Sequence, residues 1–538
     1  MLAQVAVEFP SDHFPWLSVV TFAPLAGAVV LLLVPTSKVR AQRVWALLVT
    51  LATFGLSLGI LGAYQGHEGG FQLVERAVWV RSLNFHYMLG VDGISLFMVL
   101  LTTFLMPAAV LVSWKIERQA KYYLVAFLVL ETAMIGTFLA LDLLLFFLFF
   151  EALLFPMYLI IGGWGSERRV YAAVKFFLFT MAGSAFLFLA ILFLYFRAGS
   201  ALGHNTFDVT ELVQLSLPAV TARWLFLAFF VAFAVKVPLF PLHTWLPDAH
   251  TEAPTAGSLI LAAVLLKIGA YGLIRFNLTL FPEASNYFRT FVLVLALIGI
   301  VYGAVVALIQ TDVKRLVAYS SVSHLGFVVL GTFVFTNQGM SGGVLQMVNH
   351  GLSTGALFLL VGMLYERTHT RDLGKMGGLA GPMPALAGVF LFVALSSVGL
   401  PGLNGFVGEF LILLGAFVAS KIYAFIAVTA VVLAAVYLLW AYQRAMHGKL
   451  RNEEHGRLAD LSRMEWAILA PIMAVILFIG IYPKPLLDRI EPSTNRTLQC
   501  VGDVRPVSGN PDSSLQLTVP GSCIGASLGS EPIPVGSP

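Results

Sequence analysis

Long apolar runs separated by short polar stretches dominate the chain from end to end. A helix crosses the hydrocarbon core of a bilayer with about 20 apolar residues. Runs of that length recur at residues 16–35, 44–64, 92–114, 122–140, 142–163, 170–196, 223–246, 255–275, 289–310, 316–335, 341–365, 384–419, 422–446 and 465–483. The pattern predicts an all-α polytopic membrane protein with about 14 transmembrane helices. No Lys or Arg occurs in the first fifteen residues, so no signal-peptide n-region is expected and the first span is read as a retained helix.

Two of these runs are interrupted. "VKVPLFPLHTW" places Pro238 and Pro241 just after Lys236, and "SSVGLPGLNGFVGEF" places Pro401 and several glycines before Glu409. Proline removes a helix hydrogen bond. Broken backbone is tolerated at membrane depth only where protein or a water-filled cavity receives it. One broken span in each half fits a plan of two inverted five-helix repeats, residues 122–275 (spans 4–8) and 289–446 (spans 9–13). Residues 1–121 would hold helices 1–3, 447–492 the last loop and helix 14, and 493–538 a polar, mobile tail rich in Gly, Pro and Ser.

Composition narrows the class. The chain is 59% hydrophobic and 11% charged, against roughly 25% charged in soluble domains, which excludes a large soluble enzyme. A net charge of +4, spread over loop ends, does not suggest a nucleic-acid partner. Alternate loops differ in basic residues, 18 on one side against 7 on the other. The basic side is expected to face the cytoplasm, with both termini opposite, in a bacterial plasma membrane. The two cysteines, Cys500 and Cys523, fall short of the four or so ligands that an iron–sulfur cluster or structural zinc needs. No metal or cofactor is expected in this chain.

Ionisable residues inside the spans carry the chemistry. At 1.5 Å per residue, Glu131 and Glu151 lie about 15 Å from the turn at Leu141, half of a ~30 Å core. Similar counting brings Lys236, Lys267, His324, His350 and Glu409 near the same plane. A charge at a helix centre costs about 2.5–3.5 kcal/mol even on the lenient insertion scale. Lys236, Lys267, Glu151 and Glu409 together therefore point to a buried polar pathway. Each histidine alone is more often a packed core residue, Lys175 can snorkel to the interface, and Glu131 can simply pair with a neighbour. His243, in the interrupted stretch, is a further candidate.

Four segments, "LLLFFLFFEALLFPMYLIIGGWGSERRVYAAVKFFLFT", "VKVPLFPLHTWLPDAHTEAPTAGSLILAAVLLKIGAYGLIRF", "DVKRLVAYSSVSHLGFVVLG" and "GLPGLNGFVGEFLIL", resemble the antiporter-like membrane subunits of respiratory complex I. The likeness is to the bacterial M chains, which correspond to mitochondrial subunit 4, and runs from about the third span to the fourteenth. It implies proton translocation driven by electron transfer from NADH to quinone in other subunits. Those subunits would hold FMN, iron–sulfur clusters and quinone. The implied partners are neighbouring antiporter-like chains and the lateral helix of the L chain. The resemblance further implies a Glu151–Lys236 pair, with Lys267, His324 and His350 leading to Glu409 as the exit residue. Two other readings stay open, an Mrp-type cation/proton antiporter subunit or kindred hydrogenase or plastoquinone-linked complex, and a non-transporting scaffold.

Overall fold

The computed structural model describes residues 14–502. Residues 1–13 lie outside the described residues, as do residues 503–538, with Cys523, of the tail predicted to be mobile from 493. Within them the order is α1 (Trp16–Leu33), α2 (Val39–Ala63), a hairpin of β1 (Gln72–Val80) and β2 (Phe85–Val91), α3 (Gly93–Val112), α4 (Ala120–Leu139), α5 (Leu143–Ala152), α6 (Leu154–Trp164) and α7 (Arg169–Leu202). Then come α8 (Ala219–Lys236), α9 (Trp245–Glu252), α10 (Thr255–Leu280), α11 (Pro282–Leu308), α12 (Val313–Phe333) and α13 (Asn337–Thr368). The chain continues through α14 (Pro384–Val398), α15 (Asn404–Ala419), α16 (Lys421–Met446), α17 (Arg463–Ile481) and α18 (Lys484–Gly502). Among the described residues, thirteen spans are long and apolar enough to cross a membrane, counting α5 with α6 as one. The two shorter apolar helices α14 and α15 make up the interrupted twelfth span of the sequence reading.

Burial grades from centre to rim. The most apolar stretches of α10 and α13 are wholly buried, and that of α12 is 94% buried. Those of α1, α2, α16 and α17 are only 33–39% buried. A helix apolar all round belongs in a core or in lipid, and here the polar-bearing helices take the centre while the rim helices turn apolar faces outward.

The hairpin was not anticipated from the sequence. Its strands pair antiparallel with Arg76 opposite Met88 and Ala77 opposite Tyr87, and Asn84 turns the chain with a left-handed φ of 48°. It does a capping job. Helix α1 has no side-chain cap of its own, so its first N–H groups need an outside acceptor. Glu75 of β1 supplies it, accepting from the Leu17 N–H at 2.8 Å and the Ser18 N–H at 3.0 Å, with the Ser18 hydroxyl also bonded to it. Burial pushes the Glu75 carboxyl up from its ordinary value, against the pull of these donors. Glu75→Ala should leave two buried donors unpaired, a cost of about 1–3 kcal/mol. Hydrogen exchange on a peptide covering Leu17 and Ser18 should then speed up in the assembled protein, and unchanged protection would remove this role.

The last helix corrects the tail boundary. Order was expected to end near residue 492, yet α18 continues to Gly502. Leu486, Ile490, Ser493, Thr494, Thr497 and Val501 recur on one buried face at helical spacing, and this face packs across the ends of other helices. Ser493 accepts from the Gly93 N–H at 3.0 Å, Thr494 bonds Ser341 at 2.9 Å, and Asn286 donates to the Val501 carbonyl at 3.0 Å. A Cβ on Gly93 would sit 1.8 Å from the Arg489 carbonyl, so only glycine permits the contact.

Candidate functional site

The interrupted spans are built to leave few backbone groups stranded. Helix α8 stops at Lys236, and the indole N–H of Trp245 donates to the Val235 carbonyl at 2.9 Å, satisfying one of the orphan acceptors of that helix end. Between α14 and α15, Gly399 and Gly402 take left-handed φ of 84° and 91°, which glycine adopts without penalty. Asn404, the first residue after this break, is knitted to α13. Its side chain donates to the Asn349 carbonyl at 3.2 Å and accepts from Ser396 at 2.6 Å and Ser353 at 3.1 Å, while Asn349 donates back to the Asn404 carbonyl at 2.7 Å.

Two further irregularities sit beside candidate charges. Helices α5 and α6 divide at Leu153, two residues after Glu151. Helix α10 contains π-helical turns at Leu261–Leu265 and Leu273–Asn277, on either side of Lys267. Such turns are rare and often mark functional sites. In this case the Ala262 carbonyl accepts from the Lys267 ammonium.

Four of the predicted residues form one buried line. Lys267 Nζ lies 2.5 Å from His350 Nδ1. His324 Nδ1 lies 3.0 Å from Glu409 Oε1, which also accepts from Gln346 at 3.1 Å. The two imidazole centroids are 5.8 Å apart, and each ring leaves its Nε2 without a protein partner. A polar cavity of about 10 Å³ lies between them, walled by His324, His350, Gln346, Asn349, Ser353 and Ser396. That is about the volume that one water needs. All four residues are at most 5% exposed.

Lys236 stands apart from this line. Its Nζ sits over the rings of Phe150 at 4.9 Å and Phe176 at 5.6 Å, with no hydrogen-bond partner. Glu151 is half-buried with one oxygen unpartnered, so the pair implied by the resemblance is not in ion-pair contact here, although the carboxylate is near enough to act on Lys236 electrostatically. Helix α10 approaches this lysine closely. A Cβ on Gly269 would come within 2.7 Å of the Phe233 carbonyl and the Val237 N–H, on either side of Lys236.

The remaining candidates separate. Glu131 is fully buried with neither oxygen partnered. Lys175 pairs with Asp248 at 2.7 Å, and Arg315 reaches the same carboxylate at 3.2 Å, which makes a partly exposed ion cluster. His243 packs among Phe240, Tyr302 and Tyr319. Pro238 and Pro241 fall within the α8–α9 break and Pro401 within the α14–α15 break.

Two residues were missed. His250 of α9 is fully buried, stacks on Phe358 at 4.4 Å and leaves both ring nitrogens unpartnered. Lys314, counted as a loop cation, is 7% exposed and donates to the Ala253 carbonyl at 2.5 Å. It lines a cleft of about 500 Å³ with Lys115, Glu366 and Arg371. The segment "HTEAP" lay between two assigned spans, where a histidine two residues before Glu252 reads as an ordinary loop residue.

Residues 140–434 match the family described as NADH:quinone oxidoreductase/Mrp antiporter, TM. The NADH-quinone oxidoreductase subunit M of Rhodobacter capsulatus is 47% identical, covering 90% of this chain and 96% of its own. A chain of respiratory complex I from Thermus thermophilus superposes with a TM-score of 0.82 at 34% identity, over 90% of this chain and 100% of that one. A chain of the Mrp complex from Dietzia sp. DQ12-45-1b gives 0.76 at 22% identity, over 89% of this chain and 52% of that one, a likeness of fold alone. With its broken apolar helices, this multi-pass membrane chain belongs to the NADH:quinone oxidoreductase/Mrp antiporter transmembrane family, on the branch of the subunit M proteins.

Proposed function

We propose that this chain moves protons across the membrane as the M-type subunit of a proton-translocating NADH:quinone oxidoreductase. The observation that carries the reading is the buried line Lys267–His350–His324–Glu409. Each imidazole has one nitrogen bonded to an ionisable side chain and the other without a protein partner, and both rings line a shared polar cavity. A histidine so placed takes a proton on one nitrogen and gives one from the other. A water in the cavity would bridge the two rings, with four polar walls to hold it.

Glu151 and Lys236 form the switching unit in this reading. Desolvation disfavours a buried ammonium, and a carboxylate brought close favours it. The helix division after Glu151 and the end of α8 at Lys236 let that distance change. Lys314 and His250 provide an inlet from the cleft on the basic-loop side toward Lys267, and Glu409 is the exit. Residues 122–275 and 289–446 act as the two inverted repeats.

The electron donor chemistry resides in partner subunits holding FMN, iron–sulfur clusters and quinone. Neighbouring antiporter-like chains and the lateral helix of an L chain flank this subunit in a bacterial plasma membrane, with both termini on the non-cytoplasmic side.

The test is Lys267→Met in the assembled complex, a change that keeps chain length and removes the charge. Vesicle acidification driven by NADH should fall by about 10²-fold, the usual loss on removing a proton-transfer group. Acidification at the wild-type ratio of protons to electrons would exclude this line.

A further inference from the structure

The turn that joins α4 to α5 is stitched on both edges. The Leu141 N–H donates to the Met88 carbonyl of β2 at 2.9 Å. On the other edge the Leu143 N–H donates to the Phe207 carbonyl at 2.8 Å, and the Val209 N–H to the Leu141 carbonyl at 3.1 Å. These two bonds flank a bridge that sets Asp142 opposite Asp208. A pair flanked in this way is the close, non-hydrogen-bonded kind, with Cβ atoms about 4.5–5.5 Å apart. Both aspartates are buried.

The two carboxylates have different partners. Asp208 pairs with the half-exposed Arg76 of β1 at 3.3 Å. Asp142 is the N-cap of α5, its Oδ1 accepting from the Leu144 N–H at 2.9 Å and the Leu145 N–H at 3.1 Å, while its Oδ2 accepts from the His86 N–H at 3.3 Å. The other ionisable groups here are the buried His86 imidazole and, at the rim, Glu211 bonded to His204 at 3.1 Å. Two buried carboxylates this close do not both stay charged without cost. Burial, and then the Asp208 charge, push the Asp142 carboxyl up to about 7 against the pull of its three N–H donors.

Helix α5 is only a half-helix. It starts at this cap and divides from α6 at Leu153, with Glu151 nine residues, or about 13 Å, along it from Asp142. A proton on Asp142 turns one oxygen from acceptor to donor and removes the charge at the positive end of α5.

We propose that Asp142 is a positioning residue for Glu151, holding α5 in place when ionised and loosening it when protonated from the solution on the hairpin side. The proposal rests on the switching role given above to Glu151 and Lys236. Acid accumulating on the hairpin side moves Glu151 out of its working position and slows the pump.

The test uses the intact purified complex. Its NADH-driven quinone reduction should fall about tenfold from about pH 8 to about pH 6, one unit either side of the Asp142 midpoint. In Asp142→Asn this step should vanish from the profile. Asp208→Asn, which removes the like charge but keeps an acceptor oxygen, should move the midpoint down. Hydrogen exchange on a peptide covering Leu144 and Leu145, corrected for the intrinsic effect of pH, gives a readout independent of turnover. It should speed up on acidification through the same range in the wild type and stay level in Asp142→Asn. A step that persists in Asp142→Asn, a midpoint unmoved or raised in Asp208→Asn, or wild-type exchange that ignores pH would overturn the proposal. If Asp142→Asn does not assemble, Asp208→Asn and the wild-type exchange decide it. Failure of the proton route itself shows in Lys267→Met instead, where the exchange response of α5 should persist.

Discussion

Replacing Lys236 by alanine should abolish coupled turnover while the complex still assembles. The reasoning rests on magnitudes. Keeping an ammonium at this depth costs about 2.5–3.5 kcal/mol, and the contacts with Phe150 and Phe176 return on the order of 1–2 kcal/mol. Nothing else bonds to the Nζ atom. Removing the charge should therefore not cost folding stability, so a lost activity reports on proton transfer and not on stability. Lys236→Met, which keeps the volume, should give the same loss. Glu151→Gln removes the carboxylate that stabilises the charged lysine and should fail at the same step. The double variant should lose little beyond either single one, the non-additivity of residues that act as a unit. Quinone-dependent NADH oxidation and vesicle acidification, measured after confirming assembly, decide the matter. Simple addition of the two losses would break the pair apart.

The second large effect is expected at Glu409. Glu409→Gln keeps the shape and one acceptor oxygen, so the bonds from His324 and Gln346 can persist. What disappears is a group that can take and release a proton at the end of the line. Assembly should be preserved and acidification should fall by about 10²-fold. Glu409→Asp keeps the acid but withdraws it by about one C–C bond length, ~1.5 Å, stretching the 3.0 Å contact with His324, and should retain partial pumping. Normal acidification in Glu409→Gln would remove Glu409 from the route.

The spans and their interruptions were legible because lipid imposes a length on helices, and because Pro238, Pro241 and Pro401 mark backbone that cannot continue one. The midplane charges were legible for the opposite reason, that Lys267 and Glu409 are too costly at that depth to be incidental. What escaped notice leaves little trace in side chains. A π-helical turn beside Lys267 adds a residue to the backbone without a residue type of its own. The hairpin alternates Leu73, Glu75, Ala77 and Trp79 with their neighbours over a stretch too short to compete with adjacent 20-residue runs. The end of helix α18, from Ser493 to Gly502, read as tail because the stretch 493–538 is rich in Gly, Pro and Ser. The separation of Lys236 from Glu151, and the diversion of Lys175 to Asp248, are tertiary facts that depth counting along single helices does not contain.

The bond between Gly93 and Ser493 joins residues 400 positions apart. At a synthesis rate of roughly 5–20 residues per second, Ser493 leaves the ribosome about 20–80 s after Gly93. Throughout that interval the first three spans are inserted, but the end of α3 lacks its cover. The nascent subunit thus carries its own completion mark. A chain stopped before α18 leaves the Gly93 N–H without the Ser493 hydroxyl and the small surface there without its cover, both of which a finished chain supplies.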